Sequence, residues 1–154
     1  KGIENINNLG IRTKLEEQVI RFNVPFLGIC LGMQLIAEYG HEDGINNGLG
    51  WIKGDVIKFI KKNKDEKIPH IGWNEVNFSN NNILYKNIES GKDFYFVHSY
   101  HFKCKNNSNV ISRTPYCGDF VSSINKKNIF GVQFHPEKSQ LNGFSVLKNF
   151  LSYS

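Results

Sequence analysis

Nothing in the sequence approaches the run of about 20 apolar residues that a membrane-spanning helix requires. The opening stretch KGIENINNLG is also too polar for the hydrophobic part of a secretory leader. No membrane contact is therefore expected, and the cytoplasm is the default location. Cysteine is scarce. Cys30, Cys104 and Cys117 are odd in number and contain no C-x-x-C pair, which argues against a disulfide framework and against a structural zinc. Repeats, linkers and low-complexity blocks are absent, so a single domain over 1–154 is expected. Acidic residues are in the minority, 14 against 19 Lys and Arg, for a net charge of +5. The excess is nearly all lysine, scattered or gathered in KFIKKNKDEK (58–67), where Asp65 and Glu66 interrupt it. That pattern fits a solvated turn better than a nucleic-acid surface.

What is present is enough apolar material, 40% hydrophobic and 13% aromatic, to bury one core. Thr13 followed by Glu16 has the capping-box pattern, and Leu15, Val19 and Phe22 recur at helical spacing, which predicts a helix over 13–22. Asn23 and Pro25 end it. The run 24–29 is apolar without alternation, as in a parallel strand buried on both faces, and 31–39 reads as the next helix. Helix, buried strand and helix in succession argue for an α/β fold with parallel pairing. Beyond Gly50 the pattern changes to strands between polar turns: WIKGDVIKFI, IPHIGWNEVNF, DFYFVHSYHF and NVISRT. A hairpin is expected around Lys126 and Lys127, and a closing amphipathic helix over 140–151, with Leu141, Phe144, Leu147 and Leu151 as its apolar positions.

Gly28-Ile29-Cys30-Leu31-Gly32 has the G-x-nucleophile-x-G form of a sharp strand-to-helix turn. A residue held in that turn is strained, and side chains at the flanking glycine positions are expected to collide with backbone. The sulfur would sit at the positive end of the next helix, which favours thiolate, and the Leu31 amide would offer one oxyanion donor. The structural alternative is that Cys30 packs in the core, since free cysteine is among the most buried residue types. A nucleophile needs a base. In GVQFHPE (131–137) the period of two of a strand puts His135 and Glu137 on one side, so that the carboxylate orients the imidazole and the other ring nitrogen faces Cys30. The competing reading leaves both as surface residues of a hairpin. His98 and His101, three apart on a strand, should face opposite ways, which disfavours a metal pair; His41 and His70 read as exposed or structural.

With these motifs in place, the chain resembles the class I glutamine amidotransferases, and within them the glutaminase subunits of imidazole glycerol phosphate synthases. The resemblance is carried by PFLGICLGMQL (25–35), GLGWIKGDV (48–56), IPHIGWNEV (68–76), FYFVHSYHF (94–102) and GVQFHPEKSQ (131–140). It implies a flavodoxin-like, mixed and mostly parallel sheet flanked by helices, with an added antiparallel region. Cys30 would attack the side-chain amide of L-glutamine, with His135 as base and then acid, and Glu137 behind it. It further implies that Gln34, Glu42, Ser99 and Tyr100 hold the glutamine, with Asp43 as a possible substitute for Glu42. Tyr95 and Lys138 would face a (β/α)8-barrel cyclase or related synthase subunit that receives the ammonia. No cofactor or metal is implied.

The family begins with a β-α-β segment whose glycine-rich turn gives a second oxyanion amide. These 154 residues do not supply it, so the chain is expected to be truncated at its N-terminus, at a loss of about 100- to 1000-fold in rate for one missing donor. Close relatives of the same subunit serve amidation of bacterial surface sugars, so the resemblance leaves that pathway open beside histidine biosynthesis. A non-catalytic module that binds a synthase, and a cysteine hydrolase acting on another amide, are the remaining alternatives.

Overall fold

A computed structural model describes residues 2–79 and 81–153. Its strands are β1 (Phe26–Ile29), β2 (Tyr39–Gly40), β3 (Asn46–Asn47), β4 (Gly54–Lys58), β5 (His70–Val76), β6 (Lys92–His98), β7 (Tyr100–Cys104), β8 (Val110–Thr114), β9 (Phe120–Lys126) and β10 (Ile129–Val132). The α-helices are α1 (Gly2–Asn8), α2 (Arg12–Glu16), α3 (Leu31–Leu35) and α4 (Gln140–Leu151). The main sheet runs β1-β10-β9-β7-β4-β2-β3, with β8 also on β9, while β5 and β6 form a separate two-stranded ribbon. The sheet is mixed: β1 with β10 and β2 with β4 are parallel, and its other pairings are antiparallel.

The sheet divides two apolar clusters. One gathers Met33, Ile36, Ile52, Phe102 and Ile124 with Val19 from the helical N-terminal part. The other is aromatic, with Phe59, Phe94, Phe96, Phe120, Phe130 and Phe134, closed by Val146 of α4. In β9 and β10 neighbouring residues such as Phe120 and Val121, or Ile129 and Phe130, go to different clusters, as the pleat requires. This explains why β10, IFGV, is apolar without alternation.

Local departures from the sequence reading have visible causes. The capping box is not formed: the helix starts one residue earlier, at Arg12, and Glu16 is drawn to the Arg12 guanidinium at 2.9 Å. The same helix loosens into a π-turn over Glu17–Arg21. There the buried Asn128 donates to the carbonyls of Val19 and Val24, both at 2.8 Å, pinning the helix end to the β9–β10 turn. Helix α3 stops at Leu35, and the chain turns through residues 36–38 into β2. Helix α4 has the expected bounds but not the expected inner face. Leu141, Phe144 and Leu151 are 81%, 65% and 82% exposed, whereas Gly143 and Val146 are buried. Gly143 sets this orientation: a Cβ there would lie 1.9 Å from the Pro136 carbonyl oxygen. The helix rests on the backbone of residue 136 through its smallest residue.

Candidate active site

Cys30 ends β1 with φ 48° and ψ −106°, a conformation that L-residues avoid. Strain of this kind is kept where the surroundings overdetermine it, and it clusters at active sites. Two features hold it. The Cys30 amide donates to the Val132 carbonyl at 2.8 Å, extending the β1–β10 pairing past the strand end. Gly28 allows α3 to fold back, since a Cβ there would lie 2.6 Å from backbone atoms of Gly32. The expected need for glycine at residue 32 is not met, because a Cβ there would have no neighbour within 4 Å. The turn closes on one side only.

The parallel pairing of β1 with β10 puts Cys30 beside the segment that leads to His135. His135 Nδ1 and Glu137 Oε1 are 2.7 Å apart. They meet through a turn rather than through strand alternation, because residues 136–138 form a 3-10 turn opened by Pro136. His135 Nε2 is buried and has no hydrogen-bond partner. The expected bond from this nitrogen to Cys30 is absent, and the sulfur instead takes a hydrogen bond from Gln133 Nε2 at 3.6 Å. Catalytic hydrogen bonds are often unmade before substrate binds. The expected lowering of the thiol also fails: burial pushes the Cys30 thiol up, against smaller opposing effects of the Leu31 amide and the Gln133 side chain. Removal from water outweighs what a five-residue helix can offer.

The turn carrying His135 is clamped from β6. The His135 amide donates to the Tyr95 carbonyl at 2.9 Å. The buried Ser139 hydroxyl donates to the His135 carbonyl at 2.7 Å and accepts from the Tyr95 amide at 3.0 Å. Lys138 Nζ lies 5.9 Å from the centroid of the Tyr95 ring. Tyr95 and Lys138 are thus neighbours, joined to the base by backbone. Neither Gln133 nor Ser139 was singled out from the sequence. Their position inside GVQFHPEKSQ was the only signal, and nothing in spacing says that a glutamine there turns inward.

Gln34, Glu42 and Tyr100 line one cavity of about 220 Å³ together with Leu31, His41 and Asn46. Ser99 is not among its walls; its carbonyl accepts from the Phe59 amide at 3.0 Å. Gln34 Nε2 donates to the Tyr100 carbonyl and to Gln133 Oε1, both at 3.0 Å. His98 and His101 do not face opposite ways on one strand, because the ladder breaks at Ser99 between β6 and β7. Both rings pack on Phe59, with centroids 5.1 and 4.7 Å away. Among the described residues no three His, Cys, Asp or Glu side chains are grouped as a metal ion would need.

His70 and His98 lie buried and 3.1 Å apart at Nδ1 and Nε2. Burial lowers His70 from 6.5 to about 4 and His98 to about 3. The unfolded chain binds protons near 6.5 that the folded chain refuses. The contribution of these groups to stability is therefore complete above about pH 6.5 and is lost progressively as pH falls toward about 4 and about 3. Melting temperature, followed by circular dichroism, is expected to fall steadily below about pH 6.5. The slope should lessen in a His70→Phe variant, whose ring can keep the stacking on Tyr116. An unchanged slope would contradict this assignment.

The family model for glutamine amidotransferase class-I matches residues 2–152. The chain belongs to the class-I glutamine amidotransferase family. This amidotransferase is 47% identical over 145 residues to the "Imidazole glycerol phosphate synthase subunit HisH" of Leptospira borgpetersenii, covering 93% of this chain and 71% of that protein. It is 46% identical over 151 residues to subunit HisH 1 of Campylobacter jejuni, covering 98% and 74%. Among solved structures it is similar to a glutamine amidotransferase of Thermotoga maritima, with TM-score 0.61, 20% identity, and 96% and 56% of the two chains covered. It is also similar to the glutaminase domain of Trypanosoma brucei CTPS, with TM-score 0.57, 18% identity, and 89% and 64% covered. At such identities the structural likeness concerns the amidotransferase fold. No helix of the described residues is long and apolar enough to cross a membrane.

Proposed function

We propose that Cys30, His135 and Glu137 form the catalytic triad of a glutaminase that hydrolyses L-glutamine to glutamate and ammonia. The chain is a glutaminase subunit of imidazole glycerol phosphate synthase, serving histidine biosynthesis. The observation that carries the triad is the strained Cys30 at the end of β1, beside a strand that leads to a buried, unpartnered imidazole nitrogen whose other side meets a carboxylate.

In the forward step His135 Nε2 removes the thiol proton as Sγ bonds to the amide carbon of glutamine. The Leu31 amide stabilises the oxyanion. His135 returns the proton to the nitrogen as the carbon–nitrogen bond breaks, so ammonia leaves and a thioester remains. Water then attacks with His135 again as base, and the thiolate leaves to be reprotonated. Because burial raises the resting thiol, proton transfer to His135 is required during attack and not before it. Glu137 holds the imidazole in the tautomer that presents Nε2 and stabilises it when charged. Gln34, Glu42 and Tyr100 seat the amino acid in the 220 Å³ cavity.

Full-length protein with its synthase is expected to release glutamate and ammonia in equal amounts from glutamine and to be inactive on asparagine. Comparable rates on the two amides would remove glutamine as the intended substrate.

The outer face of the β5–β6 ribbon suits the (β/α)8-barrel cyclase. Ile71 is 60% and Trp73 47% exposed, and Trp73 stands edge-on to Tyr95 with centroids 5.9 Å apart. Tyr95 in turn neighbours Lys138. Tryptophan and tyrosine are among the residue types that most often anchor interfaces. Trp73→Ala is expected to weaken association with the cyclase by about 30-fold or more, from about 2 kcal/mol. It should leave the melting temperature within a few degrees. Titration calorimetry would measure the first, and an unchanged affinity would move the docking face elsewhere.

A further inference from the structure

The side chain of Gln133 is fully buried, yet it belongs to neither apolar cluster and is absent from the mechanism above. Its two ends have different duties. Nε2 donates to Cys30 Sγ at 3.6 Å, and Oε1 accepts from Gln34 Nε2 at 3.0 Å. The direction of each bond is fixed by what lies behind it.

The Tyr100 carbonyl can only accept. It takes one bond from Gln34 Nε2 at 3.0 Å and one from His98 Nδ1 at 2.8 Å. His98 therefore carries its proton on Nδ1, which leaves Nε2 as an acceptor while the ring is neutral. His70 must then donate from Nδ1 at 3.1 Å, which leaves its own Nε2 to accept from Asn74 Nδ2 at 3.3 Å. Burial keeps both rings neutral through the working range. At the other end of the chain, both Gln34 Nε2 hydrogens are spent, on Tyr100 and on Gln133. Gln34 is left with only its oxygen to offer the cavity it lines. Its amide cannot flip without breaking two part-buried bonds and leaving their partners unpaired.

We infer that Gln133 is a positioning residue for the glutaminase reaction: it aims a fixed donor at the nucleophilic sulfur and locks Gln34 to present an acceptor to the substrate. A donor on the sulfur favours the thiolate formed as His135 takes the proton, and again as the thioester collapses. The oxygen of Gln34 matches the donors of glutamine, its amide NH2 or its ammonium, and repels a carboxylate. This inference rests on Cys30 being the nucleophile.

The test is the rate of Cys30 alkylation by iodoacetamide in the full-length protein with its synthase, read by peptide mass spectrometry from about pH 6 to about pH 9.5. Gln133→Met keeps the volume and removes the donor. Gln133→Glu keeps the acceptor toward Gln34 and turns an oxygen on the sulfur. The expected order of rates at neutral pH is wild type, then Met about tenfold slower, then Glu slower still. Each profile should be displaced to higher pH by about one unit or more. A merely structural role would lower stability without giving that order. If Gln133→Met folds poorly, the Glu variant alone decides, since it is nearly isosteric. Equal profiles for wild type and Glu would overturn the inference. Retention of glutamate release by Cys30→Ala would instead overturn the assignment of the nucleophile, and it is measured separately.

Discussion

Cys30→Ala is expected to lower glutamine-dependent glutamate release by about 10⁴- to 10⁶-fold in the full-length protein with its synthase. The range follows from other enzymes of this type, in which loss of the nucleophile leaves only the residual rate due to substrate binding and oxyanion donors. The fold should survive. Cys30 is half-buried, its thiol takes a long hydrogen bond from Gln133 at 3.6 Å, and alanine removes little volume from the turn. The informative control is synthase activity with ammonia supplied in solution, which should be unaffected. A variant that loses both activities has lost association or folding; one that loses only the glutamine reaction has lost the nucleophile. Kinetic assay of the two reactions side by side checks this.

Gly28→Ala is expected to act on fold and chemistry together. The added Cβ would lie 2.6 Å from the carbonyl carbon and oxygen of Gly32 and 2.7 Å from the Met33 amide nitrogen. All three are backbone atoms, so no side chain can rotate away. Overpacking of this kind costs about 1–3 kcal/mol, which corresponds to roughly 2–4 °C in melting temperature for each kcal/mol in a domain of this size. Any relaxation moves α3 and with it the Leu31 amide and Gln34. A displacement of about 1 Å is enough for a hundredfold loss of rate. Gly32→Ala is the matched control. No atom lies within 4 Å of its added Cβ, and alanine is the better helix former by about 0.5–1 kcal/mol. One glycine of the motif should thus prove intolerant and the other neutral or stabilising, in thermal melts as in glutaminase assays.

Cys30 was legible only in combination: a glycine-flanked cysteine between a buried run and a helix also suits core packing, and the His135 and Glu137 segment tips the reading. The β9–β10 hairpin and the bounds of α4 were legible through turn residues and apolar spacing. The inner face of α4 was not. Spacing favoured Leu141, Phe144 and Leu151, but the helix lies on Gly143 because the backbone at Pro136 admits no side chain there. Close backbone approach leaves no mark on periodicity. The His135–Glu137 pair was anticipated for the wrong geometric reason, since a 3-10 turn and not a strand brings the two together. Gln133 is not legible, because a polar residue next to a motif gives no sign of which way it points. Its inward course is set past the end of β10, where its amide donates to the Ser122 carbonyl at 2.9 Å and its side chain meets Cys30 and Gln34. The π-turn at Glu17–Arg21 likewise depends on Asn128, more than a hundred residues away in sequence.

The central claim is that glutamine becomes covalently attached to Cys30 through a base delivered by the segment after β10. Its most direct test uses radiolabelled glutamine and the full-length protein with its synthase, quenched in acid during turnover, when a thioester would be preserved, and digested for peptide mapping. The label should be found on the peptide carrying Cys30, should be released by mild base, and should be missing from His135→Asn protein. Steady turnover with no label on that peptide, or with label on the peptides of Cys104 or Cys117, would contradict the account.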